Sequence, residues 1–236
     1  MSLSRRLASE FFGSLLLTAV VIGSGVMGDR LAGGNVAVAL LANTLATAAI
    51  LYVLITALGP ISGAHFNPAV TLVMALRGDT KTADAVCYIP MQVAGCIAGA
   101  MLAHLLFELP LVQVSAHERA GPAQALSEAT ATFALIACIL LVSRHKPDAT
   151  PLAVALVIAA GYWWTSSTSF ANPAITVARA LSDTFAGIRP ADAPGFIGAQ
   201  FAGALLGMFA CGWLYRERRP RAAKAVSTAA ATRSVS

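Results

Sequence analysis

The chain has 236 residues; 57% are AVILMFWYC, only 11% are DEKR, and the mean hydropathy is +0.72. Seven charged residues follow Tyr215, leaving 20 in residues 1–215, whereas a water-soluble surface needs roughly a quarter to a third of its positions charged. A soluble domain, a disordered chain, a collagen and a secreted disulfide scaffold are excluded. The formal net charge of +5 does not point to nucleic acid, because the basic residues lie at loop ends and in the tail.

A membrane-crossing helix needs about 20 predominantly apolar residues. Residues 7–27, 35–58, 83–107, 124–142 and 194–215 qualify, and residues 151–164 qualify with their flanks. The first run continues without a small-residue cleavage pattern, so it reads as a span rather than a signal peptide. Cys87, Cys96, Cys138 and Cys211 all sit in apolar runs without paired spacing, which reads as buried hydrophobes. With both termini in the cytoplasm, twelve of the sixteen Lys and Arg fall inside, and only Arg30, Arg119, Arg179 and Arg189 remain outside. The positive-inside rule selects that orientation. Residues 1–215 form the membrane domain, with halves at about 5–110 and 122–215; the basic, Ala/Ser/Thr-rich tail 216–236 is expected to be disordered.

Two further segments, 61–76 and 169–181, are apolar but too short to cross. Asn67-Pro68-Ala69 and Asn172-Pro173-Ala174 each read as a helix start, with Asn as cap and Pro at the first helical position. About ten residues of helix span about 15 Å, half of a hydrocarbon core roughly 30 Å thick. The halves repeat: Glu10 and Glu128 each open an apolar span, then come a second span, an Asn-Pro-Ala segment and a third span. Three spans per half invert the second half, and inverted repeats with broken helices mark a substrate path near midplane. The approaches to both motifs are non-helical backbone, tolerated at that depth only in protein or against a water-filled cavity. Their carbonyls would line the path as acceptors, the two Asn amides would donate at its centre, and two positive helix ends would repel cations and protons.

The stretch Ser62-Gly63-Ala64-His65-Phe66-Asn67-Pro68-Ala69-Val70-Thr71 resembles the first signature of the aquaporin, or major intrinsic protein, family, and Phe170-Ala171-Asn172-Pro173-Ala174 resembles the second. The likeness covers about residues 5–216. It implies an all-α membrane protein: a right-handed bundle of six transmembrane helices and two re-entrant half-helices. It also implies a homotetramer of independently conducting pores in a bacterial inner membrane, no cofactor, no metal, and no catalytic residues. Glu10 and Glu128 are implied to brace the half-helix loops by accepting backbone N–H bonds; the alternative is an interfacial charge at a span end.

Most members of that family carry arginine directly after the second motif; this chain has Ile175. Counting back from the motifs by the family's spacing gives Thr47, Ala160 and Ser169 as the other filter positions, with Gly161 replacing Ala160 if the count slips by one. These residues are uncharged and mostly small, so the resemblance implies a filter wider and less polar than a water-only one. It is similar to an arginine-free, arsenic-associated bacterial subgroup passing metalloid hydroxides. The expected cargo is water and small neutral polar solutes, including glycerol-like polyols and arsenous acid. A narrow water-selective pore and a proton-coupled transporter are the alternatives.

Arg179 lies one helical turn, about 5.4 Å, beyond Ile175. It either reaches the external vestibule and adds positive potential there, or snorkels and satisfies the half-helix C-terminus or loop carbonyls. His65 lines the pore approach, while His104, His117 and His145 read as surface or span-end residues, and Trp163 and Trp164 as interfacial anchors. Gly95, Gly99, Gly203 and Gly207 form small-xxx-small pairs suited to close helix contact.

Overall fold

The computed structural model describes residues 1–215; the tail expected to be disordered lies outside the described residues. Among the described residues eight α-helices follow one another: α1 (Leu3–Leu31), α2 (Val36–Ser62), α3 (Pro68–Leu76), α4 (Thr82–Leu106), α5 (Pro122–His145), α6 (Thr150–Trp164), α7 (Pro173–Arg179) and α8 (Ala193–Leu214). Helices α1, α2, α4, α5 and α8 are long and apolar enough to cross a membrane. Helix α6, with 15 residues, spans about 22 Å and is preceded by a 3₁₀ turn, Pro147–Ala149. The architecture is the expected bundle of six long helices and two half-helices.

Local chemistry fixes the starts. The Asn35 side chain accepts from the N–H groups of Ala37 and Val38 at 3.1 and 3.3 Å, capping α2. Pro122 opens α5 immediately after Gly121, whose φ of 104° is a left-handed value that a side chain would strain. Both half-helices start as read: Asn67 accepts from Ala69 N–H at 2.9 Å, and Asn172 accepts from Ala174 N–H at 3.0 Å.

The long helices meet in two equivalent pairs, α1 with α4 and α5 with α8, and the glycine stripes lie at those contacts. A Cβ on Gly95 or Gly99 would stand 2.3 Å from the Phe11 carbonyl oxygen or 2.2 Å from that of Leu15. On Gly203 it would meet the Ala129 carbonyl oxygen at 2.0 Å. Backbone can approach backbone only where no side chain intervenes, which is how helices pack when the solvent is as apolar as the side chains. The outward faces carry Phe12, Leu45, Val86, Leu126, Phe209 and Trp213, all exposed. The polar groups are gathered inside: Glu10, Gln92, Glu128, Thr132, Thr176 and Gln200 have no exposed surface.

Candidate functional site

The half-helices α3 and α7 meet with their N-termini facing. The Asn67 amide donates to the Ala171 carbonyl oxygen at 2.7 Å, and the Asn172 amide donates to that of Phe66 at 2.8 Å. Each amide nitrogen carries two hydrogens, so each keeps one donor, and both asparagines line the central cavity.

The loops leading into the motifs are held in unusual backbone. Ala64 and Phe66 have φ of 49° and 47°; Ser169 and Ala171 have 51° and 48°. Non-glycine residues in the left-handed region cost about 1–3 kcal/mol each, so the surroundings must over-determine them. The carboxylates do so. Glu10 Oε1 accepts from Ser62 Oγ at 2.6 Å and His65 N–H at 3.0 Å, while Oε2 accepts from Phe66 N–H at 2.7 Å and Gln92 Nε2 at 2.8 Å. Glu128 repeats the pattern: Oε1 accepts from Ser167 Oγ at 2.5 Å and Phe170 N–H at 2.9 Å, Oε2 from Ala171 N–H at 2.9 Å and Gln200 Nε2 at 2.6 Å. Each glutamine also donates to the first half-helix threonine, Gln92 to Thr71 at 2.8 Å and Gln200 to Thr176 at 2.9 Å. A buried carboxylate with four donors is satisfied as an anion. The two glutamates therefore sit within the molecule rather than at a water interface.

Sequence reasoning found the glutamates and passed over the glutamines. The signal was there: Gln92 and Gln200 are isolated amides in the middle of apolar spans, where a polar group needs a partner.

The cavity has a volume of about 1170 Å³ and runs from Arg77, Lys81 and Tyr215 past His65, Asn67 and Asn172 to Thr47, Tyr162 and Arg179. Since α3 and α7 point away from their meeting point, Arg77 and Arg179, at their far ends, mark opposite ends of the path. His65 lines the approach, with Nδ1 3.0 Å from Thr71 Oγ1.

At the Arg179 end the four counted filter positions behave differently. Thr47, Ser169 and Ile175 are buried and line the cavity. Ala160 is exposed and does not line it. The cavity face of α6 is instead Val154, Ile158 and Tyr162, spaced by one helical turn. Counting back through the irregular loop after Trp164 fails because non-helical backbone keeps no register. Gly161, the slipped alternative, is buried against Ser169, whose Oγ stands 2.5 Å from where a Cβ would be. The side chain that reaches the path is Tyr162, with its hydroxyl 3.3 Å from Thr47 Oγ1. An aromatic group from α6 thus stands beside Thr47 of α2.

Arg179 is 3% exposed and lines the cavity. Its Nε donates to the Ala186 carbonyl oxygen, and its guanidinium carbon lies 3.3 Å from the centroid of the Phe170 ring. A second guanidinium, that of Arg119, lies 5.1 Å from the same centroid and donates to the carbonyl oxygens of Gly187 at 2.8 Å and Ser167 at 3.3 Å. Phe170 packs edge-on against Phe196, which fixes the ring. The loop bearing Arg119 is fastened to the segment after α7 by Ser115 N–H to the Ala180 carbonyl oxygen at 3.1 Å and by Ala116 N–H to Asp183 at 2.9 Å. His104 lies in the last turn of α4, the span-end position of the two expected, and is fully buried there rather than at the surface. Its two ring nitrogens are both engaged, Nδ1 with the Leu111 carbonyl oxygen at 2.8 Å and Nε2 with Ser182 Oγ at 2.9 Å.

Comparison with known proteins returns one consistent answer. A family model described as major intrinsic protein matches residues 1–161. The chain is 52% identical over 218 residues to aquaglyceroporin AqpS of Rhizobium meliloti (strain 1021), an alignment covering 92% of this chain and 93% of that protein. It is 32% identical over 146 residues to the glycerol uptake facilitator protein of Bacillus subtilis (strain 168), covering 55% of this chain and 53% of that one. Among solved structures, that of the aquaglyceroporin from Plasmodium falciparum superimposes with a TM-score of 0.64 at 18% identity, covering 88% of this chain and 95% of that one; at that identity the likeness shows the fold.

Proposed function

Because the chain belongs to the major intrinsic protein family, whose members are passive channels for water and small solutes and not enzymes, we propose a specific reading of its pore. It conducts water together with small neutral polar solutes: glycerol-like polyols and metalloid hydroxides such as arsenous acid. Residues 1–215 form the conducting unit in two inverted halves. Both termini lie in the cytoplasm of a bacterial cell, the protein spans the inner membrane, and four copies assemble with one pore each.

The observation that carries this reading is the cavity passing the facing asparagines, each with one amide donor to spare. A neutral solute exchanges water hydrogen bonds for those donors and for the backbone acceptors of Gly63–Phe66 and Ser169–Ala171. The positive ends of two half-helices disfavour cations at the same point. Support for polyol passage comes from the uncharged ring of Thr47, Tyr162, Ser169 and Ile175 and from the likeness to a protein called an aquaglyceroporin. Arg179 belongs to the vestibule beyond this ring, His65 to the inner approach, and Glu10 and Glu128 to the bracing of both loops.

One observation favours a narrower, water-selective pore: the Tyr162 hydroxyl stands near Thr47, where the expected filter of three small residues and Ile175 would have been open. Stopped-flow light scattering of proteoliposomes under water, glycerol, urea and arsenous acid gradients decides between them. Entry of glycerol and arsenous acid is expected; swelling in response to water alone would replace the wider reading with the narrow one.

A further inference from the structure

Arg179 poses a problem of charge. Its side chain is almost wholly buried, and among the described residues neither Arg179 nor Arg119 forms a salt bridge. The Glu128 carboxylate already accepts four hydrogen bonds from other donors. A buried cation without a counter-charge is costly. What Arg179 has is one carbonyl, that of Ala186, and the face of Phe170. Only Nε is spent on the protein; Nη1 and Nη2 donate to no protein acceptor among the described residues and are not sealed from the cavity that the side chain lines. A planar guanidinium with its paired terminal N–H groups turned into an aqueous space is the geometry that receives an oxyanion bidentately. Arg119 on the same ring adds a second positive charge, and the Tyr162 hydroxyl, which donates to Thr47 Oγ1 at a long 3.3 Å, can turn that one hydrogen to an anion at the same end of the cavity.

We propose that Arg179, laid on Phe170, forms with Tyr162 a binding site for small inorganic oxyanions at the outer end of the pore. The site rests on the channel reading above, since it places the anion in the solute path. An anion held there competes with neutral solutes for the same space. Arg119 acts as a positioning residue: it adds potential and pins the loop against Phe170 but does not line the cavity. The filter charge that Ile175 does not supply is thereby provided from the last residue of α7 and aimed at anions rather than spread around a narrow ring.

The test uses the full chain in proteoliposomes, with glycerol swelling recorded in sodium sulfate or sodium phosphate and compared with sodium chloride. Salts are equal on both sides and matched in ionic strength and osmolality. Sulfate at tens of millimolar is expected to slow glycerol entry about twofold or more, with saturation, as a roughly millimolar site requires. Arg179→Gln, with its own glycerol flux in chloride as the reference whatever that flux is, should lose the sulfate effect. If Arg179→Gln does not assemble, Arg179→Lys, which keeps the charge but not the fork, should weaken the effect several-fold. Equal flux of the wild type in sulfate and chloride, or equal inhibition in either variant, overturns the site. Thermal unfolding in sulfate separates this from the channel reading. A wild type that admits no glycerol yet is stabilised by sulfate, with Arg179→Gln unresponsive, refutes the glycerol route and keeps the site; stabilisation unchanged in Arg179→Gln refutes the site.

Discussion

Replacing Glu128 by Gln alters one atom and should undo one of the two loops. Four donors converge on the carboxylate, two on each oxygen. The amide offers one oxygen and one NH₂, so two of the four donors lose their acceptor and face an N–H. A buried donor left unsatisfied costs about 1–3 kcal/mol, giving about 2–6 kcal/mol together, a large part of a typical margin of about 5–15 kcal/mol. At about 2–4 °C per kcal/mol for a domain of this size, unfolding of the detergent-solubilised protein should drop by on the order of 10 °C. Glycerol swelling per reconstituted protein should fall with it, because Ser169–Ala171 line the path. Glu118→Gln, at a side chain 66% exposed and 3.5 Å from Arg189, is the control and should shift stability by less than about 1 kcal/mol. The double variant Glu128→Gln with Gln200→Glu keeps a carboxylate–amide pair between α5 and α8 but moves the charge away from the Phe170 and Ala171 N–H groups. It should not recover. A near-normal single variant, or recovery in the exchange variant, would show that backbone bracing is not what Glu128 does.

Gly203→Ala puts a methyl 2.0 Å from a backbone carbonyl oxygen and should destabilise by about 1–3 kcal/mol, whereas Gly198→Ala, with open space around it, should be neutral or gain up to about 1 kcal/mol in helix propensity; thermal unfolding of the pair checks the helix contact. Ile175→Arg adds bulk and charge beside Tyr162 and should cut glycerol flux about tenfold or more, equivalent to about 1.4 kcal/mol of barrier, while leaving water flux less affected, as swelling rates would show. Loss of solvation, with the Arg119 and Arg179 charges adding to it, pushes the His117 imidazole below its ordinary value. The neutral form is therefore the one the fold favours: its contribution is complete above the ordinary value of 6.5 and is lost as pH falls from there toward the lowered value. Protection of the amides of residues 113–119, taken relative to their intrinsic exchange at each pH, should fall on acidification below about pH 6.5 and lose that dependence in His117→Gln.

The bundle and the two half-helices were legible because each leaves a composition or capping signature that survives without coordinates, whereas the bracing by Glu10 and Glu128 came only from the family resemblance. A run of apolar residues must be a span in lipid, and Asn followed by Pro fixes a helix start wherever it lies. Of the positions counted from the motifs by the family's spacing, Thr47, Ser169 and Ile175 lie on the cavity, while Ala160, reached by counting across the whole of Thr165–Ala171 into α6, does not. Tyr162 was concealed by the pair Trp163-Trp164, which draws the eye to an interfacial belt, although its spacing from Ile158 and Val154 puts it on the cavity face. Arg179 carried two open readings, vestibule and carbonyl anchor, and its side chain divides between them: Nε is tied to a loop carbonyl and the rest borders the cavity.

The crossed asparagine contacts also impose an order on biosynthesis. Asn67 and its acceptor at Ala171 are 104 residues apart, as Asn172 and Phe66 are 106 apart. At about 5–20 residues per second of translation, the first half waits roughly 5–20 s beside the ribosome before its counterpart exists. Through that interval α3 sits with an amide and a carbonyl unmet, so the opening half must be sheltered by water or by the insertion machinery until the closing half arrives.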